Sequence, residues 1–260
     1  MSPIAVITIC FNNLTDLQKT CQSVDAQTCL PEEHWIINGS STNDIANWLE
    51  QTPQPAYRKW VNERDQGIAD AFNKGIQRAG SAIIHLLNSG DVYANEDVLN
   101  IVSVFFQKHP TVEWISGNIQ LTRGGEQVIV GKPFEISKLY RGMRSVSHPT
   151  WFVKKKVYQR VGAYSSDYKI AMDYDMMCRL ASASYCYLPK TIAIFDDTGV
   201  SSSQYLKSLD ENKKVYTSHF GSSFQLTLWQ WRLKILHYLL KSSLGKWLYR
   251  LKKKMGLENW

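Results

Sequence analysis

The hydrophobic and polar positions of the first 120 residues alternate between two periods. Ile4 to Ile9 is a short β-branched run, and Leu14 to Gln27 carries Leu14, Leu17, Cys21 and Val24 on one helical face. His34 to Ile37 predicts a strand. The polar GSSTND, Gly39 to Asp44, then offers N-caps for a helix running through Leu49. Gln51 to Pro55 breaks that helix, Tyr57 to Val61 resumes a strand, and Ile68 to Ala79 is helical to near Gly80. Ile83 to Leu87 is a fully apolar strand. This alternation, with short connections, predicts an α/β fold with an open, mostly parallel sheet flanked by helices. Polar clusters follow the strands at Phe11 to Asn13, Asn38 to Asp44, Glu63 to Gly67 and Asn88 to Asp91. Ligands of such sheets sit outside the carboxyl ends of the strands, so the four loops are expected to share one crevice.

The pattern then becomes less regular. Val112 to Ser116 reads as a strand, Asn118 to Val130 as a hairpin around Arg123 to Glu126, and Phe134 to Tyr140 as a short helix. Trp151 to Val153 is strand-like, Asp173 to Ala183 helical, Leu188 and Ile192 to Phe195 strand-like, and Gln204 to Phe220 helical. From Trp229 onward, Trp229, Leu233, Leu236, Leu240, Leu244, Trp247 and Leu251 repeat at steps of three or four, one stripe of an amphipathic helix. Arg232, Lys241, Lys246 and Arg250 flank the stripe, Gly245 predicts a kink, and Lys252 to Lys254 close it. The expected division is a domain over 1–220, with halves of about 1–120 and 121–220, and a basic helical tail over 221–260.

A hydrophobic fraction of 44% and a charged fraction of 20% exclude a disordered chain. The net charge of +7 lies wholly in the last 35 residues, which hold eight Lys or Arg against Glu258 alone. A basic appendage on a neutral body predicts an acidic surface for the tail and no nucleic acid. With Trp and Leu between its cations, the tail over residues 226–254 is expected to lie on an anionic membrane. Packing on the core or on a second copy of the chain is the competing expectation. Five cysteines without a CxxC pair or zinc spacing predict reduced thiols in a cytoplasmic protein. No apolar run approaches the ~20 residues that span a bilayer.

The chain has no GxGxxG after its first strand, no GxxxxGK[ST], no HExxH and no GxSxG. Its strand-end loops carry Asn, Asp and Ser instead. The run NSGD, Asn88 to Asp91, places a carboxylate after a buried strand, where hard oxygen ligands suit Mg2+ or Mn2+. A plain turn accounts for the same four residues.

Six ordered motifs carry a resemblance: VITICFNN (Val6 to Asn13), WIINGSSTND (Trp35 to Asp44), ERDQGIADAFNKGI (Glu63 to Ile76), HLLNSGD (His85 to Asp91), SHPTWF (Ser147 to Phe152) and AMDYDMMCRL (Ala171 to Leu180). Together, over roughly Ile4 to Glu211, the chain resembles the family 2 glycosyltransferases of the GT-A fold. The likeness is strongest to bacterial enzymes of O-antigen, capsule or exopolysaccharide (colanic-acid type) synthesis. The resemblance implies a nucleotide-sugar donor, most readily a UDP-sugar, with Thr8, Phe11, Asn12, Asn38, Asp65, Asn73, Asn88 and Ser89 around it. Asn38 stands where relatives carry an Asp that reads the base, and Gly90 stands at the middle acid of the DxDD-like motif. Asp91 is then the implied ligand of a Mn2+ or Mg2+ ion.

Asp173 is the implied general base of an inverting transfer, although Met172 replaces the usual preceding Glu. Helix capping is the plain alternative for Asp173. His148, Gly199 and Ser201 are implied near the acceptor or the diphosphate. Asp175 and Arg179 are spaced for an i,i+4 ion pair. The implied acceptor is a glycan on undecaprenyl diphosphate, at the inner face of the cell membrane. The competing function is a non-catalytic sugar-nucleotide-binding or assembly subunit, which the substitutions at Asn38, Gly90 and Met172 keep open.

Overall fold

The computed structural model describes residues 2–123, 126–143, 146–195 and 204–242. The chain runs through β1 (Ile4–Cys10), α1 (Leu14–Asp25), β2 (Glu33–Asn38), α2 (Asp44–Gln51), β3 (Arg58–Asn62), α3 (Ile68–Arg78) and β4 (Ile83–Leu86). It continues through β5 (Val92–Tyr93), α4 (Val98–Lys108), β6 (Trp114–Arg123), β7 (Glu126–Val130) and two 3-10 helices (Ile136–Arg141 and His148–Thr150). Last come β8 (Phe152–Lys154), α5 (Lys155–Val161), α6 (Met172–Leu180), β9 (Tyr185–Phe195), α7 (Tyr205–Phe220) and α8 (Phe224–Lys241).

Among the described residues one nine-stranded sheet forms in the order β3-β2-β1-β4-β8-β6-β9-β5, with β7 paired to β6. The first four strands are mutually parallel, as the short strand–helix repeat predicts. The second half departs from it: β8 is antiparallel to both β4 and β6, and β5 is antiparallel to β9. Alternate residues of β1 serve opposite faces. Ala5 and Ile7 pack with Phe72 and Ile76 of α3, while Ile4 and Val6 pack with Val98, Val102 and Phe106 of α4. A strand covered on both sides has no polar face, which explains its unbroken apolar run. Gly75 lets α3 lie close on β1, because a Cβ there would collide with Ile7.

Several elements differ from the sequence expectation. The two strands expected over Val112 to Ser116 and beyond Asn118 are one strand, β6, which pairs along β9 through a register shift near Asn118. The hairpin is present, with Arg123 opposite Glu126, while its central glycines lie outside the described residues. Leu188 and Ile192 to Phe195 likewise belong to one strand. The helix expected at Phe134 is a 3-10 helix, Ile136–Arg141. Helix α4 was not legible because the run IVSVFF fills its half-buried side with apolar residues and hides the period.

The start of the tail is a correction as well. Leu226 and Gln230 are buried, Trp229 and Leu233 are half-buried, and Trp229 meets Tyr140 edge to face. The expected stripe therefore begins by facing the body. A second row, Phe224, Leu228, Trp231, Ile235 and Tyr238, faces outward at helical spacing. Leu244, Gly245, Trp247, Leu251 and Lys252 to Lys254 lie outside the described residues. Among the described residues no helix is long and apolar enough to cross a membrane.

Candidate active site

Because β1 to β4 are parallel, their carboxyl ends lie along one edge and their loops meet there. Asn12 has a positive φ of 54°, a conformation that Asn tolerates better than most residues. Its side-chain oxygen accepts from the N–H of Ser41 (3.0 Å) and Thr42 (3.3 Å), and its own N–H donates to Ser40 Oγ (2.8 Å). The loops after β1 and β2 are thus one unit. Asn38 is buried at the end of β2, where its Nδ2 donates to Asn62 Oδ1 (2.9 Å) and its Oδ1 accepts from the N–H of Ser40 (3.1 Å). Asp65 leans over Gly39, where any Cβ would strike its carboxylate, and accepts from the N–H of Gly67 (3.0 Å). Phe11 stands 60% exposed beside them, a free aromatic face at the strand ends.

Thr8 is a correction to the expected ligand contacts. It is fully buried within β1 and bonded to His34 Nε2 (3.0 Å), whose Nδ1 accepts from Arg58 Nε (3.2 Å). It offers no surface to a ligand.

The loop after β4 is fastened to α1. Gly90, at φ 101°, donates its N–H to Thr20 Oγ1 (2.9 Å), and that hydroxyl donates to the carbonyl of Asp91 (2.8 Å). A side chain at Gly90 would be strained at this φ, a physical reason for glycine in place of the middle acid. Ser89 N–H reaches back to the Ile9 carbonyl (3.2 Å). Asp91 is buried, and Asn88 Oδ1 and Ser89 Oγ are buried without a hydrogen-bond partner. Orphaned oxygens beside a carboxylate are the donor set a hard divalent cation takes, and one protein carboxylate suffices when phosphate oxygens complete the shell. Among the described residues, no three His, Cys, Asp or Glu gather as a self-sufficient metal cluster.

His85 on β4 pairs with Phe152 on antiparallel β8, and its Nε2 bonds the carbonyl of Pro149 (3.0 Å). The chain preceding β8 therefore returns to the carboxyl edge of β4, bringing His148 there. His148 is buried between Phe72 and Trp151, with ring centroids 5.2 Å away in each case, and its Nε2 bonds Tyr164 Oη (3.2 Å). Asp173 Oδ1 lies 3.8 Å from the same Nε2, beyond a hydrogen bond. Burial pushes the Asp173 carboxyl above its ordinary range, with His148 pulling it back in part. Burial also pushes the His148 imidazole down, against the opposing pull of Asp173. The two shifts agree on a neutral histidine beside a carboxylate of raised basicity. Asp173 Oδ1 is buried with no hydrogen-bond partner, while its side chain as a whole is 30% exposed.

Asp173 is not the helix cap. Ala171 holds that position, and Glu211 of α7 accepts from the N–H of Ile170 (2.8 Å) and Ala171 (3.0 Å) instead. Asp173 thus sits in the first turn of α6, where the positive end of the helix favours its charged form. Asn73 has both ends of its amide on the backbone of Tyr164, donating to its carbonyl (2.9 Å) and accepting from its N–H (2.8 Å). It joins α3 to the segment around Tyr164 rather than reaching into open space. Asp175 makes the expected pair with Arg179 (2.6 Å) and also binds His219 Nε2 (2.8 Å), fixing α6 to α7. Gly199 and Ser201 lie outside the described residues. Gly39, Tyr164, Glu211 and Thr20 were not legible as site residues, since each acts on a partner more than twenty positions away.

Strand-end polar loops at one edge of an open α/β sheet, closed by a helix that starts with an acid, define a GT-A enzyme fold. The solved structures agree. Staphylococcus aureus TarS residues 1–349 in complex with UDP matches with a TM-score of 0.64 at 14% identity, over 94% of this chain and 76% of that one. The mannosyltransferase PcManGT of Pyrobaculum calidifontis, in complex with GDP-Man and Mn2+, matches with a TM-score of 0.61 at 14% identity, over 100% of this chain and 82% of that one. Residues 5–162 match glycosyl transferase family 2. The chain is 34% identical to an uncharacterized glycosyltransferase of Mycobacterium tuberculosis, over 76% of this chain and 77% of the relative. It is 24% identical to a PGL/p-HBAD biosynthesis glycosyltransferase of Mycobacterium bovis, over 82% and 87%. The chain belongs to glycosyl transferase family 2.

Proposed function

We propose that the protein is an inverting glycosyltransferase that moves a hexose from a nucleotide diphosphate sugar, with UDP as the nucleotide, to a lipid-linked glycan of bacterial surface polysaccharide. The observation that carries this reading is Asp173: a carboxylate of raised basicity whose buried Oδ1 has no hydrogen-bond partner. With its side chain 30% exposed, the carboxylate can be reached by an incoming hydroxyl and take its proton. The UDP complex of TarS and the GDP-Man complex of PcManGT support a nucleotide-sugar donor on this fold.

The mechanism follows from the chain's own groups. The exposed Phe11 ring offers a stacking face for the base, and Asp65 and Asn12 hold the loops around it. Asp173 accepts the proton of an acceptor hydroxyl while that oxygen forms a bond to the anomeric carbon. The bond from that carbon to the diphosphate oxygen breaks on the opposite face, inverting the centre and releasing the nucleoside diphosphate. Asp91, with Asn88 and Ser89, would hold a divalent cation, which when bound neutralises charge on the leaving diphosphate. Neutral His148, packed between Phe72 and Trp151, shields the base from water. Asp173→Asn should lower transfer at least ~100-fold while donor affinity, measured by titration, stays within about twofold. Lost donor binding with unchanged turnover at saturation would overturn the assignment.

The same reading puts the protein on the cytoplasmic face of the membrane. The outward row of α8, with Trp231 67% exposed, supports contact with lipid, and Arg232 and Lys241 suit anionic headgroups. Leu228→Glu with Trp231→Glu should weaken co-sedimentation with phosphatidylglycerol vesicles at least ~10-fold, given ~1.5–3 kcal/mol per buried apolar side chain. Undiminished binding would point to the competing surface.

A further inference from the structure

The chain reaches α6 through residues 163–171, which form neither helix nor strand. Without a ladder of its own, such a stretch depends on side chains to satisfy its backbone and to fix where the helix begins. Its entry is held by Asn73, bonded to both backbone groups of Tyr164. Its exit is held by half-buried Glu211, whose Oε2 accepts from the N–H of Ile170 (2.8 Å) and of Ala171 (3.0 Å). Asp173 follows two residues later.

Glu211 stands on a fixed element. Leu209 and Val215 of α7 are buried, and His219, further along the same helix, bonds Asp175 through Nε2 (2.8 Å). Helix α7 therefore grips α6 at two places with different consequences. His219 holds a side chain within the helix, where Arg179 also pairs with Asp175 (2.6 Å) and donates to the carbonyls of Val161, Gly162 and Ala163. Glu211 holds the backbone that precedes the helix. Without His219 the middle of α6 keeps its tie to Arg179, whereas the N–H groups of Ile170 and Ala171 have Glu211 as their partner.

We propose that Glu211 is a positioning residue of the transfer, setting the place of the Asp173 carboxylate by holding the backbone on which α6 begins. The assignment rests on the transferase reading, in which Asp173 takes the proton. Position matters there because a reacting group misplaced by about 1 Å can cost ~100-fold in rate. A carboxylate that accepts two N–H groups makes stronger bonds than a neutral acceptor. Glutamine keeps the length and the accepting oxygen, while alanine leaves both N–H groups without a partner. Loss of Glu211 also acts on Asp173 in one direction. A loosened helix start lets the carboxylate toward water, frees N–H donors and removes a negative charge from the same helix end, and all three favour the charged form.

The test compares Glu211→Ala, Glu211→Gln and His219→Ala in the full chain. Glu211→Ala should lower kcat at least ~10-fold with the KM for the UDP-sugar within about twofold. Glu211→Gln should recover kcat to within about threefold of wild type. His219→Ala loosens α7 on α6 away from the helix start, so it should lower the urea midpoint and keep kcat within about twofold. Carbon NMR of the Asp173 carboxyl, identified by its loss in Asp173→Asn, reads the same position without turnover. Its titration should move to lower pH in Glu211→Ala and stay in place in His219→Ala. Should Glu211→Ala fail to fold, Glu211→Asp, which withdraws the oxygen by one methylene, should show the same split. Unchanged kcat and titration, an equal loss in Glu211→Ala and His219→Ala, or a rise in KM alone would overturn the assignment. If wild type makes no transfer while the carboxyl still titrates lower in Glu211→Ala, the transferase reading falls and the positioning stands.

Discussion

The loops at the carboxyl edge of the parallel strands and the helix start that carries Asp173 are held by opposite means. Asn12 bonds the loop after β2, Asn38 bonds Asn62 at the end of β3, and Asp65 is held within its own loop by Gly67, so the edge is hydrogen-bonded before a ligand arrives. Around Asp173 the fixing is apolar and aromatic: Phe72, Trp151 and Tyr164 surround His148, and the carboxylate keeps one buried oxygen unbonded. The first arrangement supplies shape. The second raises the basicity of the Asp173 carboxylate, because burial opposes its charged form.

Acid should act on both regions at once and give the largest effect. His34, His85 and His148 are buried and pushed down by burial, His85 to about 3. Unfolded histidine protonates near 6.5, so below that pH the unfolded chain binds more protons. Stability is full above pH 6.5 and falls as pH drops, by up to ~1.4 kcal/mol per pH unit for each histidine still neutral in the fold. Asp173, with its raised value, works in the opposite sense and offsets one of the three at most. Urea midpoints between pH 7.5 and 5 measure the slope. A flat profile would mean that these rings are not held neutral.

Asn73→Ala separates the regions, since this side chain is their direct link. It should cost ~1–3 kcal/mol in denaturant unfolding, the usual loss for unpaired buried backbone groups. Per folded molecule, kcat should fall more than KM rises, because Tyr164 and then His148 lose their setting. Asn73→Asp keeps the acceptor for the Tyr164 N–H and should recover part of kcat. If Asn73→Ala changes stability alone, the link is structural only.

The smallest effect concerns the base by itself. Transfer at saturating substrates should rise with pH through an ionisation above the ordinary carboxylate value of about 3.9. The residual activity of Asp173→Asn should lack that step. A wild-type rate already level at pH 4 would place the base elsewhere.

The parallel half of the fold was legible because its strands are short, apolar on both faces and separated by helices with one buried stripe. The four strand-end loops could be grouped from that pattern alone, and hydrogen bonds join three of them directly. Thr8 was misplaced because its ligand role came with the resemblance alone, whereas its hydroxyl meets buried His34. The outer row of α8 was missed because its sequence is apolar on two faces, and periodicity does not say which face the body covers. β6 and β9 were split because Gly117 and Pro189 look like breaks, and long-range pairing carries both strands through.

The sequence by itself determined the α/β class and the loops at the carboxyl edge, since periodicity and turn chemistry are local properties, while the acids worth testing came with the resemblance that its motifs carry. Only the tertiary structure decided which polar groups are already used and which are not. Whether Asn73 faces a ligand or Tyr164, and whether Asp173 caps its helix or leaves that to Glu211, depends on residues 91 and 38 positions away. Hydrogen-bond satisfaction is set by what folding brings within about 3 Å, and that distance is not written in neighbouring residues.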